Sequence, residues 1–290
     1  MPTAAAAGRR HRIRADIEPA QTAMPAANAS AAMTPQPQPA LERQSAFWDA
    51  RAADYPDPLA AAERARMRQR LAHWPRAACP RPGQRVLDIG AGAGALALHA
   101  LEAGAEVTAL DVSAAMLQRL ARTLAPARAL AVQADWRALD LDALGWRGAF
   151  DLVAAQMVPS LREAADFERM SACSRGWCLF VGWGRERHDP WLEAAFAAHG
   201  LPWAVPAGVP LAASCLRACG HRVRPRYWRE TWQRRRTRAA ALRDAVDHLE
   251  VRGAQADPAR LHALLGASAR DEWRVDCCEV EIGLLAWRAG

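Results

Sequence analysis

The sequence predicts an α/β protein built on a parallel sheet, and three stretches carry that expectation. Val86, Leu87 and Ile89 form a short apolar strand that runs into Gly90, Gly92 and Gly94, with an Ala/Leu-rich helix over 95–101 behind it. Val107 to Leu110 make a second apolar strand ending in Asp111. Ala129 to Gln133 make a third, which runs into Ala134-Asp135-Trp136. A strand, a glycine turn and a helix in that order let a backbone approach a nucleotide-like ligand closely at the carboxyl edge of a parallel sheet.

Composition bounds the rest. A chain of 290 residues with 51% hydrophobic content fills one core and leaves room for a sizeable insertion. The formal charge is +7, and all 38 basic residues are arginine. With no lysine, proton chemistry falls to His, Asp, Glu, Cys or Tyr. Seven cysteines, an odd number without regular spacing, argue against a disulfide framework and for a reducing, cytoplasmic setting. Cys215-x-x-x-Cys219-x-His221 lacks a second paired set and reads as small thiols, so no metal is expected. No apolar stretch approaches the ~20 residues that span a bilayer. Arg9-Arg10 precedes charged residues and no apolar run, so neither a leader nor a membrane anchor is expected.

In chain order, residues 1–40 are Ala, Pro and Gln with few large apolar side chains, which predicts a disordered tail before a single domain over 41–290. Phe47-Trp48-Asp49 and Tyr55 precede a helix over 64–71 and the turn Pro80-Arg81-Pro82-Gly83. Phe150 to Ala155 make the fourth strand, followed at its edge by Gln156-Met157-Val158-Pro159-Ser160. A helix over 161–170 and a fifth strand over 176–183 come next. His221 to Trp228 and Cys278 to Trp287 suit the last two strands, separated by a helical insertion over 230–272. There Leu242, Val246 and Leu249 share a helical face, and Asp257-Pro258 reads as an N-cap and N1 pair.

One residue separates the reading from a dinucleotide fingerprint. Asp88 lies two positions before Gly90, where a nicotinamide-binding strand is usually apolar. Val86-Leu87-Asp88-Ile89-Gly90-Ala91-Gly92-Ala93-Gly94, Asp111, the run Val112-Ser113-Ala114-Ala115-Met116, and Asp135 occur in the order of class I S-adenosylmethionine-dependent methyltransferases. The chain resembles that family over roughly residues 45–185. The resemblance implies a seven-stranded Rossmann-like sheet of order 3-2-1-4-5-7-6, strand 7 antiparallel, with helices on both faces. It implies S-adenosyl-L-methionine as cofactor. Asp88 then holds the methionine ammonium, Gly90 and Gly92 permit close approach, and Asp111 takes the ribose hydroxyls. Met116 lies against the adenine, Asp135 accepts from its amino group, and Trp136 contributes a main-chain N–H. Tyr55 is the candidate to close over the methionine moiety, and the insertion over 230–272 the candidate lid.

The acceptor half is less specified. His188, after the fifth strand, is the candidate general base, although a surface histidine is the plainer reading. Trp183, Trp191 and Trp203 crowd the same region and could wall a flat acceptor. Arginines 217, 222, 224, 226, 229, 234, 235, 236 and 238 stand against the single acid Glu230. Even spacing from 222 on strand 6, and 234–236 at the mouth of the insertion, suit a small anionic acceptor, and an acidic carrier protein fits the same arginines. Nucleic acid ranks lower, because no Asn/Asp-Pro-Pro-Tyr/Phe run and no RNA-binding module occur. Two other readings stay open: a nicotinamide-dependent oxidoreductase on a similar fold, and a non-catalytic S-adenosylmethionine-binding protein.

Overall fold

A computed structural model describes residues 38–124, 129–266 and 273–289, so the expected tail falls, up to residue 37, outside the described residues. The strands are β1 (Arg85–Ile89), β2 (Glu106–Asp111), β3 (Ala129–Gln133), β4 (Phe150–Gln156), β5 (Ser174–His188), β6 (Arg226–Thr237) and β7 (Trp273–Arg288). They form one sheet of order β3-β2-β1-β4-β5-β7-β6. The first five pair in parallel, and β7 runs antiparallel to both β5 and β6. This is the order that the resemblance implied.

Both faces of the central strands are covered, which is why they read as continuous apolar runs. Along β4, Leu152 and Ala154 join one core while Val153 and Ala155 join the other, as the two-residue period of a strand requires. The first core is closed by α2 (Ala61–Leu71), α3 (Ala95–Glu102) and α4 (Ala114–Leu124), through Met67, Leu96 and Leu120. The second is closed by α5 (Ala164–Cys173) and α7 (Val209–Ala218), through Phe167, Met170 and Leu216.

The N-terminal helix α1 (Gln38–Arg51) is tied to the mouth of the sheet by polar contacts. Asp49 Oδ1 accepts from Ser113 Oγ at 2.6 Å and from the Ala115 amide at 3.0 Å, and Ser113 Oγ accepts from the Met116 amide at 3.0 Å. Asp49 thus caps α4 from another helix, and the Ser113 hydroxyl and Ala115 amide hold its carboxyl below the usual range. Asp49→Ala should cost about 1–2 kcal/mol in urea unfolding, the size of a lost N-cap. A change below about 0.3 kcal/mol would mean that this cap contributes nothing measurable.

The C-terminal half corrects three boundaries. Strand β6 begins at Arg226 and ends at Thr237, not at His221 and Trp228, so Arg222 and Arg224 precede it. Pro225 cannot donate to a ladder, and pairing with β7 starts just after it, at Arg226↔Leu284. The helical part of the insertion therefore starts at residue 238 instead of 230. Thr237 makes the switch: its hydroxyl accepts from the Ala240 amide and caps α8 (Arg238–Val251). Because β6 is longer than expected, β7 begins at residue 273 rather than 278. The pair Asp257-Pro258 opens α9 (Pro258–Leu265) as expected, with Asp257 Oδ1 accepting from the Ala259 amide at 2.9 Å. A third core joins α8 and α9 to α6 (Pro190–Ala198) through Leu192, Phe196, Ala241, Leu249 and Leu261.

Candidate functional site

The carboxyl ends of β1, β2 and β4 converge on two adjoining cavities. The smaller, about 70 Å³, is lined by Gly90, Gly92, Asp111, Met116, Asp135 and Trp136, among others. The larger, about 1480 Å³, shares Tyr55, Gly90, Asp135 and Gln156 with it. Sites for small ligands run to roughly 300–1,000 Å³, so a nucleoside-sized ligand seated against Asp111 and Met116 has to extend from the smaller cavity into the larger.

Local backbone geometry explains the glycines. Gly90 has φ 67°, and a Cβ there would meet Val158 Cγ2 at 2.6 Å. Gly92 has φ 53°, and the Tyr55 ring lies 3.8 Å from where its Cβ would be. Any larger side chain at Gly90 is strained and also collides with the loop after β4. Tyr55 therefore sits above the glycine turn and meets Trp48 edge-on with ring centroids 6.4 Å apart.

Two carboxylates set the electrostatics. Asp111 Oδ2 accepts from the Gly92 amide at 2.8 Å and Oδ1 from the Ser113 amide at 2.9 Å, so it fastens the turn to the end of β2. Burial raises its pKa, and the amides of Ser113, Gly92 and Val112 pull the other way. Asp88 is 2% exposed, and its Oδ2 has no hydrogen-bond partner. Burial, reinforced by the charge of Asp111, pushes its carboxyl up to about 8. Buried polar atoms are nearly always satisfied, so an orphaned carboxylate oxygen beside a second carboxylate marks a place for a cation or strong donor. Asp135 caps the short turn after β3 by accepting from the Arg137 amide at 3.0 Å, and Trp136 beside it is 5% exposed.

Asp111→Ala should weaken binding of a nucleoside ligand by roughly 1.5–3 kcal/mol, through lost charge-assisted hydrogen bonds. Calorimetry on the folded variant checks this; unchanged affinity would remove Asp111 from the site.

The acceptor-side candidates fare unevenly. His188 is mostly exposed, 3.7 Å from Glu193, and is absent from the lining of both cavities. The strand carries it past the chamber: β5 runs on to residue 188, beside Glu279 of β7. Trp183 and Trp203 do line the larger cavity, whereas Trp191 is a core residue whose Nε1 donates to the Ala241 carbonyl at 3.0 Å. Among the described residues no cluster of metal-ligating side chains occurs, and Cys215 and Cys219 are free thiols.

The arginine run is the main correction. Arg236 pairs with Asp244 at 2.6 Å and Asp276 at 2.7 Å, Arg229 pairs with Glu186 at 2.7 Å, and Arg234 pairs with Asp189. These acids come from β5, α8, β7 and the cap of α6, so three arginines of the run are paired by acids from other elements. At the expected anion site over 234–236, Arg234 and Arg236 are instead engaged in ion pairs within the chain.

Sequence reasoning placed Gln156 with residues 157–160 at the sheet edge expected for the methyl acceptor, without a role of its own. Its Nε2 donates only to Met67 Sδ at 3.6 Å, and its Oε1 is buried without a partner. Next to it, Met157 is the one non-glycine residue with positive φ (56°) among the described residues. The available signal was a polar residue closing an otherwise apolar strand at the sheet's carboxyl edge.

Residues 86–175 match a family model described as a methyltransferase domain. An uncharacterised protein of Mycobacterium bovis is 37% identical over 101 residues, which cover 33% of this chain and 35% of that protein. A demethylmenaquinone methyltransferase of Tropheryma whipplei is 49% identical over 51 residues, 16% of this chain and 21% of that one. The chain thus spans about a third or less of the length of these curated relatives. Among solved structures, the YcgJ protein of Bacillus subtilis aligns with a TM-score of 0.47 at 16% identity, covering 73% of this chain and 94% of that one. Haemonchus contortus phosphoethanolamine N-methyltransferase 2, in complex with S-adenosyl-L-methionine, aligns at 0.45 and 16% identity, over 76% and 52%.

Proposed function

Starting from a class I methyltransferase domain over residues 86–175, we propose that the protein transfers a methyl group from S-adenosyl-L-methionine to a small-molecule acceptor. The observation that carries the reading is the buried Asp88 carboxyl, whose Oδ2 has no partner, beneath a glycine turn. The residues present fit the cofactor. Asp88 supplies the counter-charge for its ammonium, Asp111 acceptors for the ribose, and Met116, Asp135 and Trp136 the bed for the adenine. Bound there, the sulfonium supplies a methyl carbon already activated for in-line displacement. The chain's part is to align the acceptor and exclude water, with Tyr55 and Trp48 over the turn.

The acceptor's charge is a finer question. With Arg234 and Arg236 paired internally, Arg162 and Arg252 are left as cavity cations that bond only main-chain carbonyls, those of Pro159 and Ala204. An anionic group on the acceptor, or an acidic carrier, would meet these two. No helix among the described residues is long and apolar enough to cross a membrane.

Parallel calorimetry with S-adenosylmethionine, S-adenosylhomocysteine and NAD tests the reading. Binding of the first two and not the third is expected, and binding of NAD alone would replace it with the oxidoreductase. Methyl transfer from labelled cofactor to a small-molecule panel separates an enzyme from a non-catalytic binding protein.

A further inference from the structure

The seam between the two cavities carries an unspent hydrogen-bonding group next to an aromatic wall. Gln156 ends β4 and lines both cavities, and its Oε1 has no partner. Thioether sulfur is a weak acceptor, so the bond from Nε2 to Met67 Sδ holds the amide only loosely. A ligand donor can therefore turn Oε1 toward itself at little cost. Met67 belongs to the core against which Met157, Trp183 and Trp232 pack. Trp183 and Trp232 are half-buried, tilted at 50° with centroids 5.3 Å apart, and both line the larger cavity. The guanidinium of Arg187 fills the space between Trp183 and Trp203, at 4.8 and 5.1 Å from the two rings, which stiffens the wall.

We propose that Gln156 is the positioning residue for the methyl acceptor, and that the acceptor is a flat conjugated ring bearing an O–H or N–H that donates to Gln156 Oε1 while the ring lies against Trp183 and Trp232. This rests on the methyltransferase reading and narrows its substrate class. An amide is no base, so Gln156 orients the donor and does not take its proton. An acceptor without a donor hydrogen leaves the buried Oε1 unsatisfied, which is how such a site discriminates. Saturated acceptors forgo the aromatic contact.

Tryptophan fluorescence titration of the full chain saturated with S-adenosylhomocysteine tests the inference, with 2-naphthol and the near-isosteric 2-methylnaphthalene as probes. Naphthol should bind at least about tenfold more tightly, the size of one buried hydrogen bond with its desolvation. Gln156→Leu should bring the two probes to within about twofold, whereas Gln156→Glu, which keeps an acceptor oxygen, should retain the preference. Trp183→Leu should weaken both probes alike. Equal affinities in the wild type would overturn the proposal without any variant, as would a preference that survives Gln156→Leu. Binding of S-adenosylhomocysteine with neither aromatic probe bound would overturn it while leaving the methyltransferase reading intact. Failure to bind S-adenosylhomocysteine would remove that reading and this one with it.

Discussion

Asp88→Asn should lower S-adenosylmethionine affinity by about 2–5 kcal/mol, the range for removing one partner of a desolvated charge pair. The amide keeps the shape of the carboxyl and loses its charge, so the expected loss is in binding rather than in folding. The wild-type protein adds a pH signature. In the free protein the Asp88 carboxyl titrates near 8, through burial and the neighbouring Asp111 charge. An ammonium partner needs the ionised form. Below that pH binding must release a proton, so affinity should rise by close to tenfold per unit toward pH about 8 and fall again above it, where the ligand's α-ammonium, with an ordinary pKa of about 7.7–8.0, loses its own proton. Its effect on stability has the opposite sense. A carboxyl whose folded pKa lies above its unfolded value of 3.8 favours the native state fully only below that value. The contribution is lost as pH rises to about 8, and cofactor should restore it. Calorimetry at several pH values in wild type and Asp88→Asn checks both points; a pH-independent affinity in the wild type would remove Asp88 from the ammonium site.

Asp189→Ala should destabilise the fold by about 3–5 kcal/mol, because it strands buried guanidinium charge. Asp189 is fully buried, accepts from Arg187 Nη2 at 3.0 Å and from Arg234, and also caps α6 by accepting from the Leu192 amide at 3.3 Å. Burial by itself would push its carboxyl up; Arg234 and Arg187 outweigh that and hold it below the usual range. Its stabilising contribution is therefore present above pH about 4 and fades in acid as the carboxyl is protonated. Urea unfolding of Asp189→Ala, with Asp189→Asn to separate lost charge from lost cap, measures the effect. A loss under 1 kcal/mol would show that both arginines find other partners.

The cofactor half of the site was legible because it is local. Asp88, the glycines, Asp111 and Asp135 lie at strand ends whose apolar runs announce them, and the sheet brings those ends together. The acceptor half draws on α1, α2, β4, β5, β6 and α8, and no local pattern encodes that meeting. Strand β6 was misjudged for a related reason. Its inward face runs Trp228, Glu230, Trp232, Arg234, Arg236, and the charges there are satisfied only by acids brought from elsewhere. Glu230 accepts from Nε and Nη2 of Arg70, at 2.8 and 2.9 Å, and from both flanking indoles. Trp228 and Trp232, four apart and so on one face of the strand, were the visible clue, and the arginines around them hid it.

The chamber has one bolted wall and one latched wall. Helix α8 is seated on Ala241, Ala245 and Leu249, all fully buried, and Asp244 locks it to Arg236 of β6. Helix α1, opposite, meets α8 through Arg51 and Asp247 at 2.6 Å, a partly exposed pair of the kind worth about 0–1 kcal/mol. The Ser45 hydroxyl also ties α1 to the Val112 carbonyl at 3.2 Å, and the helix's second charged catch is the Asp49 carboxylate on α4. Charge, not grease, keeps that side shut. Salt screens the first catch and acid neutralises the second, while the apolar seat of α8 ignores both. The two sides of the chamber are therefore held by different forces, and high salt or acid should weaken the α1 side before the α8 side.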